Sequence, residues 1–60
     1  MSKQDFIVQI LVTNEVQDGT IDQTLYDFIV EELKAKFRLS KAQAKRSTLE
    51  VLRALYMVTA

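Results

Sequence analysis

The stretch IDQTLYDFIVEELKAKF, residues 21–37, decides the fold of this chain. Its apolar residues recur at steps of three and four, which is the spacing of one face of an α-helix. This stripe consists of Ile21, Leu25, Phe28, Ile29, Leu33 and Phe37. Thr20 and Gln23 have the spacing of a capping box, so the helix is predicted to begin at residue 21. Lys34 and Lys36 favour its end at residue 37, because positive charge stabilises a helix C-terminus.

A second helix is predicted after this one, over residues 40–58. Ser40 is a favourable N-cap residue, and an amphipathic sequence follows it directly. The apolar stripe of this helix is Thr48, Val51, Leu52, Leu55 and Val58, with Leu49 and Tyr56 beside it.

The N-terminal segment admits two interpretations. Residues 6–13, FIVQILVT, are rich in β-branched residues and could form a strand. A single strand would need a second molecule to complete a sheet, whereas Ser2 resembles a helix start and the apolar spacing also fits a helix. We favour a helix over residues 3–16, followed by a turn in which Gly19 supplies the permissive backbone.

Three helices joined by short turns predict a single all-α domain, a small three-helix bundle or a trihelical domain resembling the helix-turn-helix class. The chain has 60 residues and neither Cys nor His, so it lacks disulfides and the common zinc ligands. A domain of this size gains stability from association. Residues 6–12 and 54–58 are apolar on nearly every side, so we expect a homo-oligomer, most simply a dimer. The predicted self-association or partner interface is Phe6, Val8, Ile10, Val12, Leu55, Tyr56, Met57 and Val58.

Charge is segregated along the chain although its net charge is zero. Residues 1–33 carry seven acidic residues and one basic residue, and residues 34–60 carry seven basic residues and one acidic residue. Six of those bases lie in residues 34–46, which contain no acid. The candidate nucleic-acid-binding residues, of types that contact phosphates and base edges, are Lys34, Lys36, Arg38, Ser40, Lys41, Gln43, Lys45, Arg46 and Ser47. An ordinary solvated helix face, or an acidic half packed against a basic half, explains the same pattern.

Catalysis is not expected. Without His or Cys, acid–base chemistry would fall to carboxylates or Lys, and the acidic residues are spread over polar helix faces. Residues 14–25 can be aligned with a calcium-binding loop, but Leu25 stands where a bidentate Glu is needed, so we interpret the segment as a turn. We predict no metal, no cofactor and no small-molecule substrate. No stretch approaches the length of a membrane span and none resembles a signal peptide, so a cytoplasmic location is expected.

Two functional hypotheses follow. The first is a non-enzymatic regulatory module, an adaptor or inhibitor, that binds a protein partner and self-associates through its apolar helix faces. The alternative is a DNA-binding transcriptional regulator that uses the basic corner at residues 34–47. The pattern looks broadly like helix-turn-helix regulators, yet it matches no family motif. A ribbon-helix-helix protein would need polar or basic residues on its reading strand, where residues 6–13 offer only Gln9 and Thr13.

Overall fold

The computed structural model describes residues 2–17 and 21–56, which form three α-helices packed together. These are α1 (Lys3–Thr13), α2 (Gln23–Phe37) and α3 (Lys41–Tyr56). The predicted three-helix bundle is therefore confirmed, and residues 6–13 are helical rather than extended. Four residues that carried predictions lie outside the described residues: Gly19 of the turn, Thr20 of the capping box, and Met57 and Val58 of the interface.

Helix α1 begins as predicted but ends earlier. The Asp5 N–H donates to Ser2 Oγ at 3.1 Å, which caps the first turn. Helix α1 ends at Thr13, not at residue 16, because Glu15 adopts a left-handed conformation with φ of 57°. The Glu15 N–H donates to the Val12 carbonyl and the Val16 N–H to the Leu11 carbonyl. This pair of bonds is a Schellman motif, and it forms here without glycine.

Helix α2 begins two positions later than the sequence predicted. Asp22 is its N-cap, and the Asp22 carboxylate accepts a hydrogen bond from the Leu25 N–H at 2.8 Å. Thr20 and Asp22 are both suitable cap residues, and the carboxylate also interacts favourably with the positive end of the helix dipole. The helix ends at Phe37 as predicted, where Arg38 adopts a left-handed conformation with φ of 56°.

Helix α3 starts at a reciprocal capping box. The Gln43 N–H donates to Ser40 Oγ at 3.2 Å, and the Ser40 N–H donates to Gln43 Oε1 at 3.0 Å. Ser40 is therefore the N-cap that the sequence predicted. Only three residues, 38–40, separate α2 from α3.

The core lies between all three helices, and α3 packs against both of the others. Its buried members are Ile7, Leu11, Ile29, Val30, Leu33, Ala44, Thr48 and Val51. Two members of the predicted apolar stripes are only partly covered: Phe28 is 51% exposed, and Leu55, which was also predicted at the interface, is 45% exposed. Val30, which the α2 stripe omitted, is buried instead. The buried face of α2 is turned toward Val30 because α3 covers that helix more extensively than α1 does.

Two contacts define how the helices are arranged. The Phe6 and Phe37 rings meet edge to face with centroids 5.7 Å apart, so the start of α1 lies beside the end of α2. The Tyr56 hydroxyl donates to the Val16 carbonyl at 3.3 Å, so the end of α3 lies beside the end of α1. The chain therefore runs up, down and up. None of these three helices is long and apolar enough to cross a membrane.

Candidate interaction site

An open groove runs between α1 and α2. Its volume is about 650 Å³, and its walls are formed by Phe6, Ile10, Leu25 and Phe28. We call this surface the α1–α2 groove. Its polar lining residues are Gln9, Thr13, Asn14, Asp22, Thr24 and Glu32. No residue of α3 lines the groove, which therefore opens on the side of the bundle that α3 does not cover.

The α1–α2 groove is open because these two helices have the smallest contact of the three pairs. Phe28 is one consequence, since half of this large aromatic side chain remains exposed in the groove. An exposed aromatic residue in a concave apolar surface is the usual form of a binding anchor in protein interfaces.

At one end of the groove, the Phe6 side chain of α1 contacts two side chains at the end of α2. Phe6 packs against Phe37 at an interplanar angle of 68°, and the Lys36 ammonium lies 5.2 Å from the centre of the Phe6 ring. This distance is within the range of a cation–π interaction. These two contacts connect the wall that Phe6 contributes to the end of α2.

The charged residues that line the groove are acidic. They are Asp22, whose carboxylate caps α2, and Glu32, which is exposed and forms no ion pair with any residue that the structure describes. The groove thus combines apolar aromatic walls with two acidic lining residues, and the Lys36 ammonium lies over its Phe6 end. This combination suits an apolar segment that carries positive charge at its edges.

The nine predicted nucleic-acid-binding residues do not form one free surface. Lys34 forms an ion pair with Glu31 at 3.2 Å, and Lys36 lies over the Phe6 ring. Ser40 and Gln43 are bonded to each other in the cap of α3. Ser47 is half-buried. The remaining four are Arg38, Lys41, Lys45 and Arg46, which are exposed and have no ion pair within the described part of the chain.

The predicted interface residues lie on different sides of the bundle. Phe6 and Ile10 line the α1–α2 groove, whereas Val8 and Leu55 line a smaller depression between α1 and α3. Val12 is 70% exposed and lines none of these surfaces, and Tyr56 is partly buried. The sequence interpretation placed Leu25 and Phe28 on the apolar stripe of α2 and did not identify them as groove residues. The position of Phe28 at one edge of that stripe was the available signal.

A second surface lies on the outward side of α3. Leu49 is 47% exposed there, and Lys45, Arg46 and Arg53 surround it. Ala42 and Glu50 complete this surface, which we call the outer α3 face. It is a shallow surface depression on one helix, and its charge is predominantly positive.

The described residues contain no cluster of carboxylates that could bind a metal ion. No three acidic residues among them are close enough to hold a metal ion. The buried Thr48 hydroxyl donates to the Ala44 carbonyl at 2.9 Å, and every buried side-chain nitrogen or oxygen in residues 2–17 and 21–56 has a partner. No family model, curated protein or solved structure matches this chain.

Proposed function

We propose that this protein is a small non-catalytic interaction module, an adaptor or inhibitor, and that its α1–α2 groove binds an apolar segment of a protein chain. The observation that carries the proposal is the half-exposed Phe28 side chain in a groove between two helices. Grooves of this kind accept one face of an amphipathic helix, which buries anchor residues at a spacing of three and four positions.

The electrostatics of the groove define the preferred segment. Asp22 and Glu32 line the groove without a neighbouring base among its lining residues. A bound helix would gain from Lys or Arg beside its apolar anchors, and it would be disfavoured by acidic residues at those positions. Affinity should fall with ionic strength, because such rim charges are exposed and are screened by salt.

An NMR titration with a small aromatic probe tests the proposal. We would add N-acetyl-phenylalanine amide to the 15N-labelled full chain and follow the backbone amides. The proposal predicts shifts clustered at groove residues such as Gln9, Thr24 and Phe28. Phe28→Ser should abolish them, whereas Leu49→Ser, a matched substitution on the outer α3 face, should leave them unchanged. Absent shifts, or shifts centred on the depression around Val8 and Leu55, would contradict the proposal.

DNA binding is the second candidate function, and one observation favours it. Arg38, Lys41, Lys45 and Arg46 are exposed at one corner of the molecule without acidic partners among the described residues. Lys41 also lies at the positive end of the α3 dipole, an unfavourable position that a bound phosphate would compensate. Such a corner could contact the backbone of duplex DNA.

Fluorescence anisotropy with labelled duplex DNA tests this candidate. Binding should weaken steeply as salt increases, because each phosphate contact releases about one counterion. Reversal of Lys41, Lys45 and Arg46 to Glu should abolish it, and Asp27→Lys serves as a control on another surface. Absence of binding at low salt would eliminate this candidate.

A further inference from the structure

We infer that the segment which occupies the α1–α2 groove is the outer α3 face of a second copy of this chain. The inference rests on the proposed function of the groove and specifies its partner. It is carried by the match between two surfaces that are both exposed in the single chain and lie on separate helices.

The apolar parts of the two surfaces are complementary. The groove exposes Phe28 between two helices, and the outer α3 face exposes Leu49 at the centre of a single helix. A helix ridge that enters the groove between two other helices is the ordinary geometry of helix packing. Association would remove both half-exposed side chains from water.

The charges of the two surfaces are also complementary. Asp22 and Glu32 line the groove, whereas three bases, Lys45, Arg46 and Arg53, and one acid, Glu50, lie around Leu49. A groove placed against a second groove would bring acidic residues together, and two outer α3 faces would bring basic residues together. Electrostatics therefore favours groove against outer face over either pairing of like surfaces.

One molecule cannot fill its own groove in this way. Helix α3 packs on α1 and α2 through its buried side, which contains Ala44, Thr48 and Val51. Leu49 lies on the exposed side of the same helix, so it is directed away from the bundle that contains the groove. Contact between the two surfaces requires a second chain.

The resulting interface is heterologous, because each copy contributes a different surface. Such contacts leave one groove and one outer face unused at the two ends, so assembly continues into chains unless a ring closes. The mass should therefore increase past that of a dimer as the protein concentration rises. This differs from the dimer that the sequence favoured.

Charge reversal tests the pairing directly. Sedimentation equilibrium would be measured on the full chain between about 10 µM and about 1 mM, a range that covers weak association. Glu32→Lys places a base in the groove, and Arg46→Glu places an acid on the outer α3 face. Each variant alone should associate about tenfold more weakly than the wild type. An equimolar mixture should regain the lost association, because the groove altered by Glu32→Lys then meets the outer α3 face altered by Arg46→Glu.

Matched variants exclude other causes. Asp27→Lys makes the same charge change on α2 outside the groove lining, and Lys41→Glu makes it on α3 outside the outer face; both should associate like the wild type. Leu49→Ser should weaken association without changing any charge. Circular dichroism would establish that each variant remains helical, which we expect because all of these positions are exposed.

Three results would overturn the inference: a wild-type protein that stays monomeric up to about 1 mM, association that survives Arg46→Glu, or a mixture that stays as weak as the two single variants. In the second case a groove-to-groove dimer would be the better interpretation. If the aromatic probe still binds the groove in any of these cases, the groove retains its proposed function and only its occupant is wrong. If the probe fails to bind, the proposed function itself fails.

Discussion

Ser40 and Gln43 cap each other at the start of α3, through the Ser40 Oγ and Gln43 Oε1 atoms and the two backbone N–H groups. This relationship holds the turn that joins α2 to α3. It also occupies two side chains whose types suit DNA recognition. Lys34 and Lys36 have contacts of their own with Glu31 and Phe6, so the bases without such a partner in the described residues are Arg38, Lys41, Lys45 and Arg46.

Removal of this cap should destabilise the bundle measurably. We expect Ser40→Ala to lower the free energy of unfolding by about 1 kcal/mol, because the Gln43 N–H loses its acceptor. Ser40→Asp should retain most of the stability, since a carboxylate also accepts this bond and favours a helix N-terminus. Urea unfolding followed by circular dichroism measures both variants. Equal stability of Ser40→Ala and the wild type would contradict the prediction.

Glycine at the two left-handed positions should stabilise the protein. Glu15 and Arg38 have φ values of 57° and 56°, a conformation that is strained for residues with a Cβ atom. Glu15→Gly and Arg38→Gly should each raise the free energy of unfolding by about 1 kcal/mol. Arg38→Ala is the matched control, because it removes the charge but keeps the strain and should give no gain. A loss of stability in Arg38→Gly would show that the arginine side chain is needed at this turn.

The buried Thr48 offers a prediction about the core. Its hydroxyl donates to the Ala44 carbonyl, which the helical pattern already pairs with a backbone N–H. Thr48→Val should therefore lower the free energy of unfolding by no more than about 0.5 kcal/mol. It could also raise it, because the core gains a methyl group in place of a hydroxyl. Thr48→Ser retains the hydroxyl but deletes a buried methyl group, and should cost about 1 kcal/mol. If Thr48→Val unfolds at a lower temperature than Thr48→Ser, the hydroxyl has a structural role of its own.

Core truncation should nearly abolish folding. Leu33 is fully buried between the helices, so Leu33→Ala should cost about 2–5 kcal/mol, which is comparable with the total stability of a domain this small. Val12→Ala is the matched control on α1 and should change stability by less than about 0.5 kcal/mol, because Val12 is largely exposed. Circular dichroism at low temperature should show a large loss of helicity in Leu33→Ala and wild-type helicity in Val12→Ala. Wild-type helicity and stability in Leu33→Ala would contradict the prediction.

The parts of the fold that local sequence determines were predictable. The periodicity of residues 21–37 identified α2 and its buried Ile29 and Leu33, and Ser2 and Ser40 identified the starts of α1 and α3. These features depend on helical spacing and on hydrogen bonds within one turn. Helix ends were less predictable, because Glu15 is a residue type that rarely adopts the left-handed conformation that ends α1.

The candidate site could be predicted only in part. Phe6 and Ile10 were expected at an interface and do line the groove, whereas Phe28 was predicted only as a member of the α2 stripe. The exposure of Phe28 depends on how far α1 and α3 cover α2. The periodicity of the α2 sequence carries no information about that coverage. The same reason applies to Lys36, because its contact with the Phe6 ring depends on how α1 packs against α2.

The most direct test of the groove as the contact site for a second copy of this chain is a dilution series of the 15N-labelled wild-type chain, recorded by NMR from about 1 mM to about 20 µM. We predict concentration-dependent shifts at groove amides such as Gln9, Thr13 and Phe28, together with amides around Leu49. Groove amides that do not move with concentration, or shifts that cluster instead around Val8 and Leu55, would contradict the assignment.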